Sequence, residues 1–86
     1  MSQTKFIHIR NFNLEGDIDP RGGFTYAYRG LDSGVVYAIA QCSKQDNFRK
    51  AYGRSKAQGR LKSEAFASLF AGSEADFRNA VYDGVI

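Results

Sequence analysis

The sequence predicts an α+β domain: a three-stranded antiparallel meander, then a basic helix and one or two short C-terminal helices. Three observations predict it. Residues 1–42 hold three apolar or aromatic runs of strand period, divided by Gly, Pro and Asp punctuation. After Cys42 the pattern becomes a Ser-x-x-Asp cap signal and a run dense in Lys and Arg. A second such signal, Ser73 with Asp76, precedes a short apolar helical pattern that Gly84 closes.

KFIHIRNF, Lys5 to Phe12, is β-branched and aromatic with rough alternation and reads as the first strand. NLEGDIDPRGG is too broken by Gly and Pro to be a helix and reads as a connection. GFTYAYRG alternates, with Phe24, Tyr26 and Tyr28 on one face and Thr25, Ala27 and Arg29 on the other. LDSG is a turn. GVVYAIAQC is the third strand, with Val35, Tyr37 and Ile39 on one face. Its other face holds Val36, Ala38, Ala40 and Cys42, small enough for a helix to lie close. Ser43, with Asp46 three residues on, is placed to cap a helix running to about Leu61. Ser63 is placed to cap a short helix through Phe66, Leu69 and Phe70, ending near Gly72. The last helix carries Phe77, Ala80 and Val81. Short connections between successive strands favour the meander, with the helices on one face of the sheet.

Eighty-six residues make one domain, spanning residues 1–86. A hydrophobic content of 43%, with seven Phe and five Tyr, is globular rather than disordered composition. A single Cys has no internal disulfide partner and fits a reducing compartment. No apolar stretch approaches the roughly 20 residues of a spanning helix, and no basic-then-apolar leader opens the chain. A cytoplasmic protein with no membrane partner is expected.

The net charge of +3 is unevenly placed. Residues 44–62 hold seven bases (Lys44, Arg49, Lys50, Arg54, Lys56, Arg60 and Lys62) against one acid, Asp46. At about 100° per residue, Phe48, Tyr52, Ser55 and Gly59 share one side of this helix. Lys56, Arg49, Arg60 and Gly53 share the next side, and Ala57, Lys50, Leu61 and Arg54 lie opposite the first. No side is cleanly apolar, so the helix either bends at a glycine or is sandwiched between the sheet and the last helices. Gly53 and Gly59 each cost about 1 kcal/mol relative to Ala, which close approach to the sheet or to a partner would explain. A basic helix is commonly a solvated face with snorkelling stems. Solvated helices, however, usually mix signs to gain i,i+4 pairs. The bases here therefore point to an anionic contact made by Arg49, Lys50, Arg54, Lys56, Arg60 and Lys62, with nucleic acid or an acidic protein surface. Arg suits bidentate grip on phosphate or carboxylate.

The residues Cys42, Ser43, Asp46, Phe48, Lys50, Gly53, Arg54, Ala57, Gly59, Arg60 and Leu61 form the pattern C-S-x-x-D-x-F-x-K-x-x-G-R-x-x-A-x-G-R-L. It resembles a motif of small phage-encoded proteins of uncharacterised function. The resemblance implies a phage accessory setting in the host cytoplasm, in which small proteins of the anti-CRISPR type inhibit host defence complexes.

RGGFTYAY resembles the aromatic strand of RNA-recognition modules, which would make Tyr26 and Tyr28 base-stacking residues. It departs by an extra Gly, by Thr25 and by Ala27, and the helix that fold needs between its first two strands is missing. A core or edge aromatic row is the alternative. GRSKAQGRL resembles the last helix of double-stranded-RNA-binding domains, without that fold's leading helix. Glu15, Asp17 and Asp19 form an acidic loop that lacks calcium-loop spacing. His8 and Cys42 lie on different strands, with no further ligand for a metal and no third group to complete a catalytic set. No catalytic residue, metal or cofactor is therefore expected. The expectation is a non-enzymatic phage-type inhibitor of a host nucleic-acid-handling defence protein or ribonucleoprotein complex. The alternatives are a sequence-tolerant DNA- or RNA-binding module using the same helix, and a structural homodimer.

Overall fold

The computed structural model describes residues 3–12, 14–63 and 66–86. Among the described residues, four strands form one antiparallel sheet in the order β1-β2-β3-β4. They are β1 (Lys5–Ile9), β2 (Arg21–Leu31), β3 (Gly34–Asn47) and β4 (Ser68–Phe70). Helix α1 (Lys50–Lys62) follows β3, and α2 (Glu74–Tyr82) follows β4. The architecture is the predicted α+β meander with one more strand.

Register follows the alternation. Tyr26 pairs with Ile39 and Tyr28 with Tyr37, so the two aromatic and aliphatic rows lie side by side. With Ile7 and Val35 they form one apolar face, and α2 packs there through Phe77 and Val81. Phe77 is fully buried among the rings of Tyr26, Tyr28, Tyr37 and Phe70. The Tyr26 hydroxyl donates to the Ile86 carbonyl at 3.0 Å, tying residue 86 to the sheet. The opposite face is built of Phe6, Ala27, Val36, Ala38 and Ala40, and α1 packs on it through Ala57 and Leu61.

The helices therefore cover both faces, not one. Both faces carry apolar rows, and a single helix layer would leave one of them in water. The small side chains of the second face admit α1 so closely that a Cβ on Gly53 would collide with the Thr25 hydroxyl. That contact is the sheet-side explanation for Gly53.

Two predicted helix starts fail. Ser43 and Asp46 lie in β3, not at a cap: the Ser43 hydroxyl accepts from the Gln45 amide at 3.2 Å. Arg21 pairs with Asn47, and the Phe48 amide donates to the Pro20 carbonyl at 2.7 Å, so ladder bonds across the chain override the local cap. Between Arg21 and Gly23 the register shifts, and residues 43–46 swing out opposite Gly22. Gly23, at φ 112°, has no room for a Cβ, which would meet the Ile9 carbonyl oxygen at 2.7 Å. The expected helix through Phe66 and Phe70 is instead β4, pairing with Val35, Val36 and Tyr37. Without it, that edge of β3 would expose its backbone groups. Ser63 closes α1, its amide donating to the Arg60 carbonyl at 3.1 Å. Ser73 does form the predicted reciprocal capping box with Asp76.

Candidate nucleic-acid interface

Helix α1 has no acidic residue and no side chain capping its N-terminus, where Arg49 is the N-cap. Its orientation is set by Gly53, Ala57 and Leu61, which turn to the sheet. Of the two sides that competed in the sequence, the Ala57/Leu61 side is buried and Tyr52 is left 62% exposed. The bases then fall on two flanks.

On the β1 flank, Lys50 and Arg54 are exposed, and they join two residues remote in sequence, His8 and Arg10. His8 and Arg10 share the α1 side of β1 with Phe6 by strand alternation. The His8 Nδ1 lies 3.0 Å from the Thr25 hydroxyl, and its ring meets the Phe48 edge at 5.6 Å between centroids. Arg10 also lies over the Phe48 ring, its guanidinium 4.6 Å from the centroid. Burial lowers the His8 pKa from 6.5, and the positive charges of Lys50, Arg54 and Arg10 lower it further. His8 thus senses a basic cluster that the sequence scatters over more than forty positions.

On the β3 flank, Arg49, Tyr52 and Lys56 form one wall of an open cleft of about 670 Å³. Gln41, Cys42, Ser43, Gln45, Asp46, Asn47 and Arg21 make the rest. The Lys56 ammonium sits 5.2 Å from the Tyr52 centroid. The Cys42 thiol lies 3.5 to 3.7 Å from the carbonyl oxygens of Ser43, Asp46 and Asn47, and can donate to only one at a time.

Arg60 differs from its neighbours. It is half-buried and donates to the Ile39 carbonyl at 2.8 Å, while its guanidinium lies 5.9 Å from the Phe66 centroid. It anchors the helix to the sheet as well as adding charge. Lys62 is exposed in the last turn. The side shared by Arg49, Lys56 and Arg60 in the sequence is therefore split, with Arg49 and Lys56 in the cleft and Arg60 tethered to the sheet beyond it.

Tyr26 and Tyr28 are not stacking surfaces. They are 7% and 2% exposed, with their rings against Phe77 under α2. Exposed rings lie elsewhere, at Phe12, Tyr52, Phe66 and Tyr82, and of these Tyr52 and Phe66 lie against cations of α1. Among the described residues, no group of three or more His, Cys, Asp or Glu converges as a metal site, and no helix is long and apolar enough to cross a membrane. No protein-family model matches the chain, and searches of curated proteins and of solved structures return no match either.

Proposed function

We propose that this protein is a non-enzymatic binding protein that takes the phosphate backbone of a nucleic acid on the α1 face. The observation that carries this reading is the convergence of Arg10, Lys50 and Arg54 on one flank and Arg21, Arg49 and Lys56 on the other, around a helix without an acid. Such a density of cations releases counterions when it meets a polyanion, and contacts phosphates with little sequence preference. The test is a titration of labelled DNA and RNA from about 50 to 300 mM salt. Binding that falls steeply with salt is expected, and Lys50→Glu with Arg54→Glu should reduce it at least about ten-fold. No binding at the lowest salt removes the reading.

A second reading is a phage-type accessory inhibitor of a host nucleic-acid-handling complex, of the anti-CRISPR kind, engaging an acidic protein surface through the same residues. Two observations favour it. One is the motif from Cys42 to Leu61. The other is the exposed Phe12, Leu14 and Ile18 of the β1–β2 connection, which a phosphate backbone has no use for. Its signature is a stable complex with a host protein and no affinity for free nucleic acid. A structural homodimer is the remaining alternative, and a doubled mass with indifference to charge reversal is its signature.

A further inference from the structure

Tyr52 and Phe66 are exposed rings that lie outside both core clusters. Tyr52 stands on α1 and Phe66 just before β4, and neither packs into the apolar face beneath α1. Each touches a cation instead: Lys56 over Tyr52, and Arg60 over Phe66. Lys56 and Arg60 are one helical turn apart and neighbours on the helix surface. The four side chains thus form a continuous row of ring, cation, cation, ring along one flank of α1.

Helix rise sets the span of its members on α1. Tyr52 and Arg60 are about 12 Å apart along the axis, roughly three steps of a strand stacked at about 3.4 Å. The outward side of the helix beside Tyr52 is shallow. Ser55 is small, and Gly59 has nothing within 4 Å of where its Cβ would be. Gly59 therefore lacks the packing reason that Gly53 has, yet carries the same helix cost of about 1 kcal/mol. An absent side chain there lets a backbone approach the helix.

We infer that this row is a single-stranded nucleic-acid track, with bases stacking on Tyr52 and Phe66 while Lys56 and Arg60 neutralise the phosphates between them. The inference rests on the phosphate-binding reading above and adds the strand state and the stacking residues. Rings flanking a pair of cations suit single strands because every unpaired base offers a π-face, whereas a duplex hides those faces within its stack. The Arg60 guanidinium also keeps its bond to Ile39, so the cation is held in place before a strand arrives.

The test compares an oligothymidine single strand with a hairpin duplex, by anisotropy at about 50 mM salt. Tyr52→Ala and Phe66→Ala are each expected to weaken single-strand binding by about ten-fold and to leave the duplex within about two-fold. Tyr52→Phe, which keeps the ring, should bind as the parent does. The salt slope should not change, because no charge is removed. Circular dichroism of each variant reports the fold separately. If both alanine variants bind the single strand as the parent does while Lys50→Glu with Arg54→Glu weakens binding at least about ten-fold, stacking is overturned and the phosphate clamp stands. If the parent binds neither oligonucleotide, both fall.

Discussion

At the residue scale, the two glycines of α1 have opposite environments. A methyl on Gly53 would strike the Thr25 side chain, which is itself buried and bonded to His8. Gly53→Ala is expected to destabilise by about 1–3 kcal/mol through overpacking. Gly59→Ala meets open space and should stabilise by about 0.5–1 kcal/mol through helix propensity. Urea unfolding of the pair reads both, and equal effects would contradict the placement of α1. His8 carries a second test. Its folded pKa is below 6.5, so the unfolded chain binds the extra proton first. Stability from this residue is complete above pH 6.5 and is lost as pH falls from there through the folded value. His8→Gln should flatten that slope. Lys50→Gln or Arg54→Gln should raise the His8 pKa, followed by imidazole NMR shifts, because each removes a positive neighbour. Strand alternation puts His8 and Arg10 on one face, but only the fold brings that face under α1. The Tyr26 and Tyr28 row was legible as a pair, while its burial depended on α2 arriving from residue 74 onward.

At the element scale, three serines carried helix-start signals and only one starts a helix. Ser73 and Asp76 exchange side-chain and backbone bonds, 3.1 Å from the Asp76 amide to the Ser73 hydroxyl and 3.3 Å in return. Ser73→Ala should cost about 1 kcal/mol, and Ser43→Ala and Ser63→Ala only a few tenths, since neither caps a helix N-terminus. Thermal unfolding of the three variants separates them, and a Ser43→Ala loss equal to that of Ser73→Ala would put the α1 start back at Ser43. The local sequence at Ser43 is a sound cap, but the Arg21–Asn47 pairing lengthens β3 past it. The same competition makes β4 of Ser68–Phe70, where helical spacing of Phe66, Leu69 and Phe70 suggested a turn of helix. Three residues gain more by closing the Val35–Tyr37 edge than by one isolated helical turn, whose nucleation is costly. The orientation of α1 was also undecided, because Tyr52 and Leu61 lie on different sides. The alanines of the sheet below select the side with Gly53 and Ala57, since only small residues fit so near them.

At the scale of the whole molecule, core and charge are separated. The larger core lies between the sheet and α2 and centres on Phe77, while the basic residues crowd the α1 side. Charge reversal at Lys50 and Arg54, both exposed, should therefore weaken polyanion binding at least about ten-fold with the unfolding midpoint nearly unchanged. Lys5 and Glu74 pair at 3.0 Å across β1 and α2, an exposed contact worth at most about 1 kcal/mol that adds little to the fold. The sheet edges give self-pairing little to build on, since β4 has three residues and β1 five, with Lys5 at its end. By itself the sequence determined the meander, the face each strand residue takes, the capped last helix and the concentration of positive charge in one helix. These follow from period, propensity and composition, which act between near neighbours. Only the tertiary structure decided where α1 begins, which side of it is buried, and that helices cover both faces. It also decided that Arg10, Arg21 and His8 join the basic face, and that Tyr52 and Phe66 are exposed rings beside it. Those outcomes depend on ladder bonds and packing between residues far apart in the chain, and no local pattern encodes which distant partner wins.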